Sequence, residues 1–236
     1  MGNHPATDLE FDGGAGPVPG IFVRPAGAWV LYLLAHGAGA GMRHHFMESA
    51  AQALAGRGIA TLRYEFPYMT AGGRRPDPPP VLQSTVRAAV GEAARIAPDL
   101  ALVAGGKSLG GRMTSGAAAR EPLPGIRGLV FLGFPLHPAR QPGDSRAEHL
   151  GAVTVPMLFL QGTRDDLADL GLITAVCRRL GPAATLHVVE GADHSFEVLK
   201  RSGRTGAEVL EELAGTIERW CRSLLARDAG PDADRR

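Results

Sequence analysis

Three short stretches carry the residues able to do covalent chemistry: AGGKSLGGR at 104–112, GTRDD at 162–166 and GADHSF at 191–196. The first reads two ways. Gly-Lys-Ser ends a phosphate-cradling loop, and Gly-Lys-Ser-Leu-Gly is a Gly-x-Ser-x-Gly turn presenting a nucleophilic serine. A phosphate loop requires a glycine five residues before Gly106. That position is Ala101, and Leu102 and Val103 after it belong to an apolar run, so no open cradle of backbone N–H groups forms. The nucleophile reading needs a strand, a sharp turn with serine at its tip and a helix directly after. Leu100–Ala104 supplies the strand, and Leu109–Arg120 supplies a helix of small residues. The turn also demands small residues two before and two after the serine, and these are Gly106 and Gly110.

The motif alone is weak. With 32 glycines and 8 serines in 236 residues, roughly 0.15 matches arise by chance. Its partners decide. An acid follows the strand VPMLFLQ in GTRDD, and a histidine follows the last strand in GADHSF. Both stand at carboxyl ends of strands, where open α/β sheets gather their sites. Asp165, three residues after Gly162, is the expected acid, with Asp166 the alternative; either one could instead cap the helix expected from Leu167. His194 is the expected base. Its neighbours Asp193 and Ser195 are expected to shape the loop. The chemistry implied is acyl transfer. Ser108 attacks a carbonyl, His194 moves the proton, and Asp165 orients the imidazole. The oxyanion is expected to meet the N–H groups of Leu109 and of Ala38 in the turn HGAGAG.

The elements that must position these groups follow from periodicity. Apolar runs alternate with Ala-rich helical stretches, the pattern of a mostly parallel α/β sheet with crossover helices. Strands are expected at 20–24, 29–35, 58–63, 100–104, 128–133, 155–161 and 185–190. Helices are expected at 46–55, 81–97, 109–120, 167–180 and 207–226. EFPYMTAGGRRPDPPP reads as a loop without regular structure, because of its prolines. The expected organisation is a partly flexible extension over 1–19, one domain over 20–226 and a flexible tail over 227–236.

Composition narrows the classes. Hydrophobic residues are 44% and charged residues 21%, the proportions of a globular chain. A net charge of +1 argues against a nucleic-acid binder. Cys177 and Cys221 are the only cysteines, too few for a disulfide framework or a metal-binding set. No apolar run approaches the length of a membrane span. No signal-peptide pattern opens the chain. The expectation is a cytoplasmic protein without cofactor, metal, membrane or nucleic-acid partner. His36 is expected to bond backbone in its turn, and His44 and His45 lie close by.

AHGAGAGMRHHFM, RYEFPYM and GGKSLGGRMTS together resemble the α/β-hydrolase superfamily. The closer resemblance is to its small testis-expressed and non-specific-lethal-complex-subunit type, related to dienelactone hydrolases. It implies the α/β-hydrolase fold with little or no cap and an order Ser, Asp, His along the chain, met by Ser108, Asp165 and His194. It also implies a hydrolase, and the want of an apolar lid makes a small, accessible ester, thioester or lactone the expected substrate. The alternative is a non-catalytic interaction module, the role of some relatives in chromatin complexes. The insert Pro135–Gly151 is too short for a multi-helix lid. Tyr64, Phe66, Tyr68 and Met69 follow a strand end and are expected either to line the substrate pocket or to pack in the core. Lys107 departs from the bulky residue many esterases carry before the serine, and with Arg74 and Arg75 could attract an anionic substrate.

Overall fold

The computed structural model describes residues 4–14 and 16–228. Eight strands form one sheet: β1 (Ala6–Asp12), β2 (Pro17–Val23), β3 (Val30–Ala35), β4 (Ile59–Tyr64), β5 (Ala101–Lys107), β6 (Ile126–Leu132), β7 (Met157–Gly162) and β8 (Ala184–Val189). Their order is β1-β2-β4-β3-β5-β6-β7-β8. β1, β2 and β4 pair antiparallel. From β4 to β8 all pairings are parallel. This is the α/β-hydrolase fold.

Side chains alternate between the faces of a strand, and the sheet uses both. In β3, Leu31, Leu33 and Ala35 face one core with α3 (Pro79–Ile96), α4 (Leu109–Arg120) and α5 (Leu170–Leu180). Val30, Tyr32 and Leu34 face the other core with α1 (His45–Ala55) and α6 (Gly206–Asp228). Burial on both faces is why these strands read as unbroken apolar runs.

The differences from the sequence reading lie at the sheet edge, in connecting segments and at the end of the last helix. The sheet begins at Ala6, inside the expected extension, because ATDLEFD pairs along its full length with β2. It is an edge strand with most side chains exposed, so it lacks a buried-strand pattern. The proline-rich stretch after β4 holds a short helix, α2 (Pro67–Thr70), and the start of α3. Both begin with proline in the first turn, where its missing N–H has no intrahelical partner to lose. Ser145–Ala152 forms a 3-10 helix. Residues 227 and 228 continue α6, and the rest of the expected tail lies outside the described residues.

Candidate active site

β5 ends at Lys107 and α4 begins at Leu109, leaving Ser108 alone in the turn. Its backbone takes φ 50°, ψ −113°, a region that side-chain-bearing residues rarely occupy and that is held only by its surroundings. Its N–H bonds Leu132 O at 3.1 Å, and its carbonyl accepts Arg112 N–H at 3.1 Å. The space for such a turn comes from glycine. A methyl group on Gly106 would stand 2.2 Å from Ala35 O, and one on Gly110 would stand 2.4 Å from the same oxygen.

The structure brings the three expected residues together. Ser108 Oγ lies 2.8 Å from His194 Nε2. His194 Nδ1 lies 2.7 Å from Asp165 Oδ2. Since an ionised carboxylate only accepts, Nδ1 carries the proton and Nε2 accepts from the serine hydroxyl. Asp165 has a fully buried side chain. Its Oδ1 accepts Leu167 N–H at 2.8 Å, and its Oδ2 also accepts from Gln161 Nε2. Gln161 in turn accepts Phe134 N–H at 3.1 Å. Sequence reasoning passed over Gln161. Its signal was a wholly buried amide ending an apolar strand, which needs partners.

Asp166 is exposed and lies outside this network. The capping expected of one of the paired acids falls instead to Asp169, whose Oδ1 accepts Leu172 N–H at the start of α5. Asp193 ties the histidine loop, with Oδ1 accepting the N–H groups of Ser195 and Glu197 at 2.8 and 3.0 Å. Ser195 is exposed.

Leu109 opens α4, so its N–H has no intrahelical acceptor and is available to a developing oxyanion. Ala38 is exposed and lines the same cavity as Ser108. The turn that carries Ala38 is clamped from behind by the segment after β4. His36 Nε2 accepts Phe66 N–H at 3.0 Å, which leaves Nδ1–H to donate to Gly37 O at 2.7 Å. Burial lowers the pKa of His36, favouring this neutral form. Glu65 Oε1 accepts Met42 N–H at 2.7 Å, and Tyr68 Oη accepts Gly39 N–H at 3.2 Å. Tyr68 is itself held by Asp77, which accepts its N–H at 2.9 Å.

The expected substrate-lining role of Tyr64, Phe66, Tyr68 and Met69 is therefore corrected. Tyr64, Phe66 and Tyr68 are core residues, Met69 packs against them, and none lines the cavity at Ser108. Aromatic rings after a strand end satisfy burial and a pocket wall equally well in a sequence, and here burial prevails. Arg74 and Arg75 are exposed on the loop before α3, away from the cavity. We expect Tyr68→Phe to lower kcat about 5-fold with KM little changed, because it frees the Gly39 N–H that steadies the neighbouring amide. Steady-state kinetics showing both constants within experimental error of wild type would refute this brace.

The cavity measures about 790 Å³ and extends from Ser108 past Phe46, Met47, Phe196 and Val198 to Leu210. His44 and His45 stand at its wall, and His44 Nδ1 also accepts Phe46 N–H at 3.3 Å to cap α1. Among the described residues, no group of three or more His, Cys, Asp and Glu is placed to hold a metal ion. No helix among them is long and apolar enough to cross a membrane.

A second serine–histidine pair exists. Ser115 Oγ lies 2.7 Å from His149 Nε2, joining α4 to the 3-10 helix. Ser115 sits inside α4, fully buried, with its hydroxyl also donating to Arg112 O. Burial lowers the pKa of His149, and the charge that adds to this is Arg112, not a carboxylate. This pair joins packed elements, its serine is buried, and among the described residues no acid orients its histidine.

The same architecture recurs in solved structures. A dienelactone hydrolase from Anabaena variabilis is 23% identical, with a TM-score of 0.73 over 93% of this chain and 97% of that one. A lidless serine hydrolase from Xanthomonas campestris is 21% identical, with a TM-score of 0.71 over 93% and 97%. The esterase domain of a Rhodothermus marinus protein is 15% identical, with a TM-score of 0.69 over 93% and 98%. These likenesses speak to fold. The model of the alpha/beta hydrolase domain family matches residues 28–222, and the chain belongs to that family.

Proposed function

We propose that the protein is a serine hydrolase of small ester-type substrates: carboxylic esters, thioesters or lactones. The observation that carries this reading is the continuous relay Ser108 Oγ, His194, Asp165, with contacts of 2.8 and 2.7 Å, at a serine in a strained turn. Ser108 Oγ attacks the acyl carbon as its proton passes to His194 Nε2. The carbonyl oxygen becomes an oxyanion facing the N–H groups of Leu109 and Ala38. The tetrahedral adduct collapses as His194 returns the proton to the leaving oxygen or sulfur. Water then repeats the sequence on the acyl-serine, restoring Ser108 and releasing the acid. Asp165 holds the imidazole tautomer throughout and stabilises the imidazolium that forms twice per turnover.

Substrate size follows from the site's surroundings. The Pro135–Gly151 insert contacts α4 through Ser115–His149, and none of its residues lines the cavity at Ser108. The names of two similar structures, a dienelactone hydrolase and an esterase domain, agree with this substrate class. The resemblance of the HGAGAG, RYEFPYM and GGKSLGGR segments to the small testis-expressed type belongs to the same proposal. So does a reducing, cytoplasmic setting, supported by two buried free thiols.

A fluorophosphonate probe tests the reading. It should label wild type at one site and leave Ser108→Ala unlabelled. Equal labelling of the two proteins would end the assignment.

A further inference from the structure

Lys107 immediately precedes the nucleophile, and its side chain lines the cavity that contains Ser108 and His194. The ammonium sits close to the reacting groups and over an aromatic ring. The position of a first side-chain carbon on Gly133 lies 3.4 Å from Lys107 Nζ, 3.5 Å from Asp165 Oδ2 and 3.5 Å from His194 Cε1. On another side, the Phe196 ring centroid is 5.7 Å from Nζ. Among the described residues no acceptor comes within hydrogen-bonding distance of Nζ, and no carboxylate comes within ion-pair distance. Asp165 already accepts from His194, Gln161 and Leu167, and Asp193 is committed to its own loop.

Lys107 is partly buried, and its ammonium faces the cavity with no protein acceptor among the described residues to give up when a ligand arrives. Burial pushes this one down to about 8, against the opposing pull of the Asp165 and Asp193 charges. A structural lysine would be expected to have a partner. One at the cavity wall without an acceptor in the protein can receive a ligand's oxygens. Of the other charged side chains lining the cavity, two are cations and one is a carboxylate. Lys200 is exposed at the far end, Arg204 is engaged by Glu190 O and Glu212, and Glu197 is the cavity's single carboxylate.

We propose that Lys107 determines specificity, and that the substrate is an ester, thioester or lactone bearing a carboxylate within a few bonds of the scissile carbonyl, which the Lys107 ammonium receives. This rests on the serine hydrolase reading. A carboxylate there gains charge-assisted hydrogen bonds, while a neutral ester of the same length gains none.

The test compares matched esters by proton NMR: monomethyl glutarate against methyl valerate, and acetoxyacetate against propyl acetate. The two pairs put the charge on the acyl and on the alcohol side. The readout is the ratio of kcat/KM within a pair, so any general loss of activity in a variant cancels. So do protonation changes of His194, which affect both members. In wild type at pH 6.5 the anionic member of one pair should be favoured roughly 10-fold or more. Lys107 is charged below about pH 8 and neutral above it, so the preference should collapse towards unity by pH 9.5. Lys107→Arg should keep it at pH 9.5, since guanidinium does not titrate there. Lys107→Met should show a ratio near unity at both pH values. A wild-type ratio at or below unity in both pairs at pH 6.5 overturns the inference, as does a preference that survives in Lys107→Met. Turnover without anion preference overturns this inference alone. Absence of any Ser108-dependent turnover overturns the hydrolase reading and this inference with it.

Discussion

His194→Ala will lower kcat for ester hydrolysis by a factor on the order of 10⁶, and Asp165→Asn by about 10⁴. The two losses differ because the residues do different things. Without His194 nothing accepts the Ser108 proton at 2.8 Å. With asparagine at 165 the imidazole remains, but its Nδ1–H loses the charge that stabilises it, and the amide can hold the ring in the wrong tautomer. Asp166→Asn is the informative control. Asp166 is exposed and outside the relay, so its kcat should stay within about 3-fold of wild type. Single-turnover kinetics on the three variants checks the order. If Asp166→Asn is the more damaged of the two aspartate variants, the acid has been assigned to the wrong neighbour.

Gly106→Ala will destabilise the fold by about 3–5 kcal/mol, or lower Tm by roughly 10 °C for a domain of this size. The added methyl would stand 2.2 Å from the Ala35 carbonyl oxygen and 2.8 Å from its nitrogen, both backbone atoms of the neighbouring strand. Those strands are hydrogen-bonded at this point in the sheet, with Ala35 paired to Gly106, so neither can yield cheaply. The residue also holds φ +148°, which L side chains rarely adopt. Urea unfolding of Gly106→Ala beside Gly91→Ala provides the comparison, because a methyl on Gly91 would meet no atom within 4 Å. Alanine also raises helix propensity there, so that variant should be as stable as wild type or slightly more so. Similar losses in both would mean that the strand contact is softer than its distances imply.

Much of the central architecture was legible because it repeats a simple physical rule. Strands buried on both faces need continuous apolar runs, and WVLYLLA and VPMLFLQ can hardly be anything else. The elbow was legible for a steric reason, since only small residues fit at 106 and 110. β1 was not legible. ATDLEFD lies on the sheet edge with most side chains in water, so its stability comes from backbone pairing that leaves little trace in residue type. The clamp behind the Ala38 turn was hidden for another reason. Glu65, Phe66 and Tyr68 act on residues 36–42 across the parallel pairing of β3 with β4, and that contact exists only once the two strands lie side by side. Tyr68 looked like a pocket wall because hydroxyl-bearing rings near a site do either job. Lys107 was visible as an anomaly, but only the placement of Gly133, Asp165 and Phe196 around it shows that it stands beside the triad.

The two serine–histidine contacts differ by only 0.1 Å, at 2.8 and 2.7 Å, yet one serine sits at a strained turn on the cavity wall and the other buried inside a helix. Stoichiometry follows from that contrast. A covalent serine reagent should consume one equivalent per chain and then stop, so burst titration would count functional molecules in a preparation before any natural substrate is known.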